Sequence, residues 1–125
     1  MRFDLVYLGA GALIGAYLRY RITGQALFFN SIPLSVLIVN VTGSFILGLT
    51  MAGVQHFGLD ERYVLFLGIG FCGSYTTMSS FAFETSNLIS AGKMLVAGMD
   101  MLLNVGLSIV GVFFGRALIL ILAGA

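Results

Sequence analysis

The sequence predicts an all-α membrane protein of four transmembrane helices, the third of them broken near Gly73–Thr77. Three observations carry this expectation. First, 59% of the 125 residues are hydrophobic and 9% are charged, whereas soluble domains are nearer a quarter charged, and the mean hydropathy is +1.06. Six basic and five acidic side chains cannot cover the surface of a soluble domain. Second, apolar stretches long enough to cross a bilayer, which takes ~20 residues, recur four times. Third, the stretch GFCGSYTTMSSFAFE, Gly70 to Glu84, sets glycines and hydroxyls in the middle of the third span.

The first helix is expected from about Leu5 to Arg21. A charge followed by an apolar run resembles a signal peptide, but Arg19 and Arg21 follow and no small-residue cleavage site is clear, so it reads as a membrane helix. The second runs from Pro33 to Val54 and carries no charge; proline suits a first helical turn, where its missing N–H has no partner to lose. The third runs from about Arg62 to Ala91 and the fourth from about Lys93 to Leu122. The connections, Ile22–Ile32, Gln55–Glu61 and the residues around Gly92, are short, so residues 1–125 form one transmembrane domain of antiparallel neighbours. Gly11 and Gly15, Gly43 and Gly48, and Gly111 and Gly115 fall at spacings that let helices approach closely in lipid.

Several function classes are excluded. A net charge of +1 gives no footprint for nucleic acid, and Cys72 and His56 are alone of their types, so neither a disulfide nor a Cys/His metal site can form within the chain. There is no catalytic triad and no lysine-bearing phosphate loop, so no enzyme chemistry is expected. Alternating helix ends put Arg2, Arg62 and Arg116 on one face and Arg19, Arg21 and Lys93 on the other. The positive-inside rule therefore gives no orientation. Either another determinant sets it, or the chain inserts both ways round, which would permit an antiparallel homodimer.

Polar side chains at membrane depth face a cavity or a partner. Asn40 and Ser44 are four apart, and Asp100, Asn104 and Ser108 form a slanted stripe at the same spacing, with Arg116 on the same drift beyond Val112. Asp100 and Arg116 are near enough to opposite helix ends to reach the interfaces. The stripe has two readings, interhelical hydrogen bonding or a lined pathway for a small polar solute. In the third span Gly68, Gly70 and Gly73 precede Ser74, Thr76 and Thr77, a poor helix-forming run. Irregular backbone survives at this depth only when buried in protein or facing water, and carbonyls ending a half-helix suit a hard cation such as Na⁺. Beyond the break, Met78 and Phe81 share one face, and Ser80 and Glu84 another.

These residues also carry a resemblance. GFCGSYTTMSSFAFE resembles the signature of the Fluc/CrcB fluoride channels, roughly GFCGGxTTFSTFSxE; GALIGAYLRY, Gly11 to Tyr20, and VNVTGSFILG, Val39 to Gly48, are similar to the family's first- and second-helix motifs. The resemblance covers essentially the whole chain. It implies a passive, fluoride-selective channel that exports fluoride and limits its toxicity. It implies a multi-pass protein of the plasma or inner membrane, and an antiparallel dual-topology dimer with two pores and a central structural Na⁺. The Na⁺ would be held by the carbonyls of Gly73 and Thr76 from both subunits. The fluoride pathway would comprise Asn40, Met78, Ser79, Ser80, Phe81, Asn104 and Ser108, with Arg19, Thr77 and Glu84 associated with the pore. The chemistry agrees: hydroxyls and amides donate to an anion, an aromatic ring offers a positive edge, and conduction needs sites the ion can leave. Arg19 would either draw anions to a mouth or tie helices together.

The chain departs from the pattern at Met78, where the family has its first phenylalanine, at Ala82 and Val112, where hydroxyls occur, and at Ser74 in place of glycine. These departures motivate a second expectation, a non-conducting or partner subunit of a heterodimer. A third, a small proton-coupled transporter, needs an acid in the first helix, where none follows Asp4.

Overall fold

The computed structural model describes residues 3–125; Arg2, counted above among the basic residues of one face, lies outside them. Helix α1 (Asp4–Thr23) leads into a short hairpin of β1 (Phe28–Phe29) and β2 (Ile32–Pro33), then α2 (Ser35–Phe57). The third span occupies Glu61–Ser90 in pieces: α3 (Glu61–Tyr63), a wide π-type helix over Val64–Cys72, α4 (Gly73–Tyr75) and, past extended Thr76 and Thr77, α5 (Met78–Ser90). Helix α6 (Met94–Leu122) completes the chain. The α2, Glu61–Ser90 and α6 spans are each long and apolar enough to cross a membrane. Helix α1 has 20 residues, but Asp4, Arg19 and Arg21 dilute its apolar run.

Pro33, expected in the first turn of the second helix, instead pairs with Phe28 in the hairpin, and α2 starts at Ser35. The cause is the preceding turn. Asn30 and Ser31 both take positive φ, 47° and 70°, as a two-residue hairpin loop requires, and this folds buried Ile32 and Pro33 back against α6. The Leu34 N–H continues the pairing to the Leu27 carbonyl at 2.9 Å, and the Ser35 hydroxyl bonds the Gln25 carbonyl. At the other end of α2, Gly58 adopts the left-handed conformation (φ 63°) that closes many helices.

Two close helix pairings fix the bundle. Helix α1 lies against the π segment, where a β carbon on Gly11 or Gly15 would overlap the carbonyl of Phe66 or Phe71. Helix α2 lies against α6, where a β carbon on Gly115 would overlap the Phe45 carbonyl and one on Gly111 would sit 3.0 Å from the Val41 oxygen. The Gly11–Gly15 and Gly111–Gly115 pairs thus each serve one backbone-to-backbone contact, which favours helix association in lipid, whereas Gly43 faces the Thr76 and Tyr75 side chains and Gly48 the Val112 backbone. Helix α5 packs on α6, and this contact carries the break toward the Asn40 flank of α2.

Replacing Gly11 by alanine is expected to lower stability by about 1–3 kcal/mol through overpacking. Gly9→Ala, two residues away with open space around it, should be neutral or mildly stabilising as a helix substitution. Unfolding midpoints in a denaturing-detergent titration check the pair.

Candidate functional site

The break has defined hydrogen bonds. Thr76 (φ −77°, ψ 154°) and Thr77 (φ −150°, ψ 116°) are both extended, which interrupts the helical ladder. The Cys72 carbonyl accepts both the Thr76 N–H, at 3.0 Å, and the Thr76 hydroxyl, at 2.8 Å. The Thr77 N–H leaves the helix and donates to Asn40 Oδ1 at 2.8 Å. On the far side the Thr77 hydroxyl accepts the Ser80 N–H at 3.1 Å, capping α5. It also meets the Ser79 and Ser80 hydroxyls at 3.3 and 3.1 Å. With two extended residues after it, the Gly73–Tyr75 turn is left with end-of-helix carbonyls that have no following helical donors.

Asn40 also anchors a buried chain of side chains. Its Nδ2 donates to the Thr77 carbonyl at 3.3 Å and to Asn104 Oδ1 at 3.0 Å. Asn104 Nδ2 donates to Asp100 Oδ1 at 3.0 Å and to the Asp100 carbonyl at 3.2 Å. Asp100 Oδ2 accepts the Thr85 hydroxyl at 3.1 Å. Asp100 was expected near enough to its helix end to reach the interface; it is instead 0% exposed, because α5 packs over it and Thr85 meets it there. Among the described residues no basic side chain pairs with it. A further bond, Thr42 to the Tyr75 hydroxyl at 2.9 Å, ties α2 to the turn before the break, and Tyr75 stacks on Phe71 with ring centres 5.2 Å apart.

The two readings of the polar stripe divide it between them. Asp100 and Asn104 are consumed by interhelical hydrogen bonds, whereas the Ser108 and Ser44 hydroxyls meet no protein partner among the described residues and line a groove of about 430 Å³. This groove gathers Asn40, Gly73, Thr76, Thr77, Met78, Phe81, Asn104 and Ser108, with Leu47, Val105 and Ile109 as apolar wall. Met78 stands 71% exposed at its edge. Ser79, Ser80 and Glu84 are not in it: they lie on the other flank of α5, in a second depression of about 500 Å³ shared with Thr23 and Asn87. One oxygen of Glu84, Oε2, is buried there without a hydrogen-bond partner among the described residues. Arg19 lines neither depression; it is half-buried on α1, where its carbonyl accepts the Thr23 hydroxyl at 2.8 Å.

The expected pathway left out Ser44, named only as a polar neighbour of Asn40, and Thr85. Ser44 carried a signal, its spacing of four from Asn40. Thr85 carried none, since its role depends on α5 folding over Asp100.

A family model described as CrcB-like protein, Camphor Resistance (CrcB), matches residues 6–116. The chain belongs to the CrcB-like family. The matched region runs from the start of α1 to Arg116, so it includes every residue of the break, the buried network and both depressions. Among curated relatives, the fluoride-specific ion channel FluC of Nitrosopumilus maritimus is 50% identical over 115 residues, 92% of this chain and 91% of the relative. The protein of the same name from Methanocaldococcus jannaschii is 38% identical over 94% of each chain, and that from Sulfurihydrogenibium sp. is 44% identical over 89% of this chain and 92% of the relative. This CrcB-like family is one of ion channels rather than enzymes.

Asn40→Ala should cost about 1–3 kcal/mol, because it strands the buried Thr77 N–H and the Asn104 oxygen. Ser108→Ala, which removes a hydroxyl without a protein partner, should change stability by less than about 0.5 kcal/mol. The same denaturing-detergent titration distinguishes them.

Proposed function

We propose that this chain forms a passive, fluoride-selective channel of the cell membrane, exporting fluoride and so limiting its toxicity inside. The single observation that carries the reading is the groove at the break. Two hydroxyls without protein partners, Ser44 and Ser108, stand in it with Phe81, between apolar walls, in a chain whose relatives are named fluoride-specific ion channels. Fluoride is small and strongly hydrated, so its pathway must replace water with donors. The hydroxyls supply them directly. Both N–H groups of the Asn40 amide are already engaged, as are those of Asn104, so in this conformation the two amides shape the wall rather than offer free donors. Phe81 contributes a ring edge. On the opposite flank, Ser79 and Ser80 beside Glu84 offer further hydroxyls, and the pathway proposed here runs along both faces of α5. No group in the groove binds so strongly as to trap the ion, since no arginine or lysine lines it.

The proposal includes an antiparallel dual-topology homodimer, which agrees with the balanced basic residues, and two pores related by its symmetry. It also includes a structural Na⁺ at the dimer centre. The donor chemistry fits that ion. The Gly73–Tyr75 turn ends in unpaired carbonyls, Gly73 is exposed with open space where a β carbon would stand, and the Thr76 hydroxyl is already spent on Cys72, so its carbonyl is what remains. No group of three His, Cys, Asp or Glu side chains competes for a metal among the described residues. Carbonyls of Gly73 and Thr76 from two chains would hold the ion, whose charge would stabilise the facing helix ends. A second reading, a partner subunit that conducts only beside a different chain, is favoured by Met78, a flexible thioether in place of a ring at the groove edge.

Purified protein in liposomes is expected to release fluoride rapidly and chloride hardly at all. Ser108→Ala should slow release about tenfold, the scale of one lost hydrogen bond. Absence of fluoride release from a folded dimer, with release gained by Met78→Phe, would favour the partner-subunit reading. For the cation, the unfolding midpoint should be higher in Na⁺ than in K⁺ at equal ionic strength; equal midpoints would remove Na⁺ from the proposal.

A further inference from the structure

We infer that Asp100 is a positioning residue: through the amides of Asn104 and Asn40 it fixes the orientation of the hydrogen bonds that hold Thr77 at the break. Its effect on transport rests on the channel reading above; its effect on Thr77 does not.

A peptide N–H can only donate, a carboxylate can only accept, and a primary amide does one on each side. The buried chain starts at the Thr77 N–H and ends at Asp100 Oδ1, with two amides between. Turning either amide over changes its shape little but reverses its polarity. A reversed Asn104 would set its oxygen against the Asp100 carboxylate and its N–H groups against those of Asn40. A reversed Asn40 would set N–H groups against the Thr77 N–H. Only one arrangement satisfies every contact, and it is the one present: Thr77 N–H to Asn40 at 2.8 Å, Asn40 to Asn104 at 3.0 Å, and Asn104 to Asp100 at 3.0 Å.

Asp100 has no other evident task. It is 0% exposed and no basic residue neutralises it among the described residues. A buried carboxylate is costly unless hydrogen-bonded, and packing alone would be served by an apolar side chain. Both of its oxygens are instead used to orient donors, Oδ1 that of Asn104 on its own helix and Oδ2 that of Thr85 on the half-helix beyond the break. One carboxylate therefore holds the groove residue Asn104 on its own helix and ties that helix to α5 through Thr85.

The test is hydrogen exchange at the Thr77 amide in the detergent-solubilised full chain, with fluoride release from liposomes measured in parallel. Asp100→Ala should speed Thr77 exchange about tenfold and slow fluoride release. Asp100→Asn should do less, because the new amide can still turn its oxygen to Asn104 and its N–H to the Thr85 hydroxyl. Asn104→Asp alone places two carboxylates side by side and should also speed exchange. The double variant Asp100→Asn/Asn104→Asp again presents an acceptor to Asn40, and should return exchange to within about threefold of the parent. Unchanged exchange in Asp100→Ala, or a double variant no better than Asn104→Asp, overturns the inference. Should Asp100→Ala fail to fold, the comparison of Asn104→Asp with the double variant decides alone. If exchange responds as expected while the parent chain releases no fluoride, the channel reading falls and the positioning role stands.

Discussion

The Asn40 side chain pairs with the peptide of Thr77 as a neighbouring strand would, accepting its N–H at 2.8 Å and donating to its carbonyl at 3.3 Å. Much of the structure depends on this pairing. A helix broken inside a bilayer leaves backbone groups that lipid cannot satisfy, each at a cost of several kcal/mol. Here one amide from α2 takes up both groups of the residue at the centre of the break. That allows Thr76 and Thr77 to stay extended, which in turn starts α5 as a separate helix with its own cap and turns Met78 and Phe81 toward the groove. The close glycine contacts of α1 with the π segment and of α2 with α6 hold the elements near enough for the pairing to form.

The polar groups of this apolar chain fall into two populations. Asn40, Asn104 and Thr77 in the groove wall, with Asp100 and Thr85 behind it, satisfy one another by hydrogen bonds. Ser44 and Ser108 remain without protein partners in the groove. Such a division suits a pathway for a hydrated ion. Fixed groups keep the shape, and mobile hydroxyls, which rotate at little cost, exchange with water. It also explains why Asn40 and Asn104 line the groove although their N–H groups are already committed.

Much of this was legible in the sequence, for identifiable reasons. Three of the four expected spans, α2, Glu61–Ser90 and α6, follow from length and hydropathy, and the glycine pairs at Gly11–Gly15 and Gly111–Gly115 do mark helix contacts. The interruption of the third span was visible because glycines and β-branched hydroxyl residues cluster there, although Gly73–Tyr75 remain helical and only Thr76 and Thr77 are extended. The π segment over Val64–Cys72 was not legible; its Phe66 and Phe71 backbone lies close against Gly11 and Gly15 of α1. The hairpin escaped because its turn uses Asn30 and Ser31 without a glycine, so Pro33 read as a helix start. Asp100 read as interfacial because a single helix gives no hint that α5 will cover it. The spacing that set Met78 and Phe81 on one face of α5 and Ser80 and Glu84 on another holds, and the two faces open on different depressions, Ser79 with the second.

The central claim is selectivity, that this chain passes fluoride and refuses chloride. It is tested most directly by the reversal potential of current across a planar bilayer holding this chain alone, with fluoride on one side and chloride on the other. The account predicts a current whose reversal potential follows the fluoride gradient and ignores chloride. A reversal potential that follows chloride, or no fluoride current from a folded and inserted chain, would contradict it.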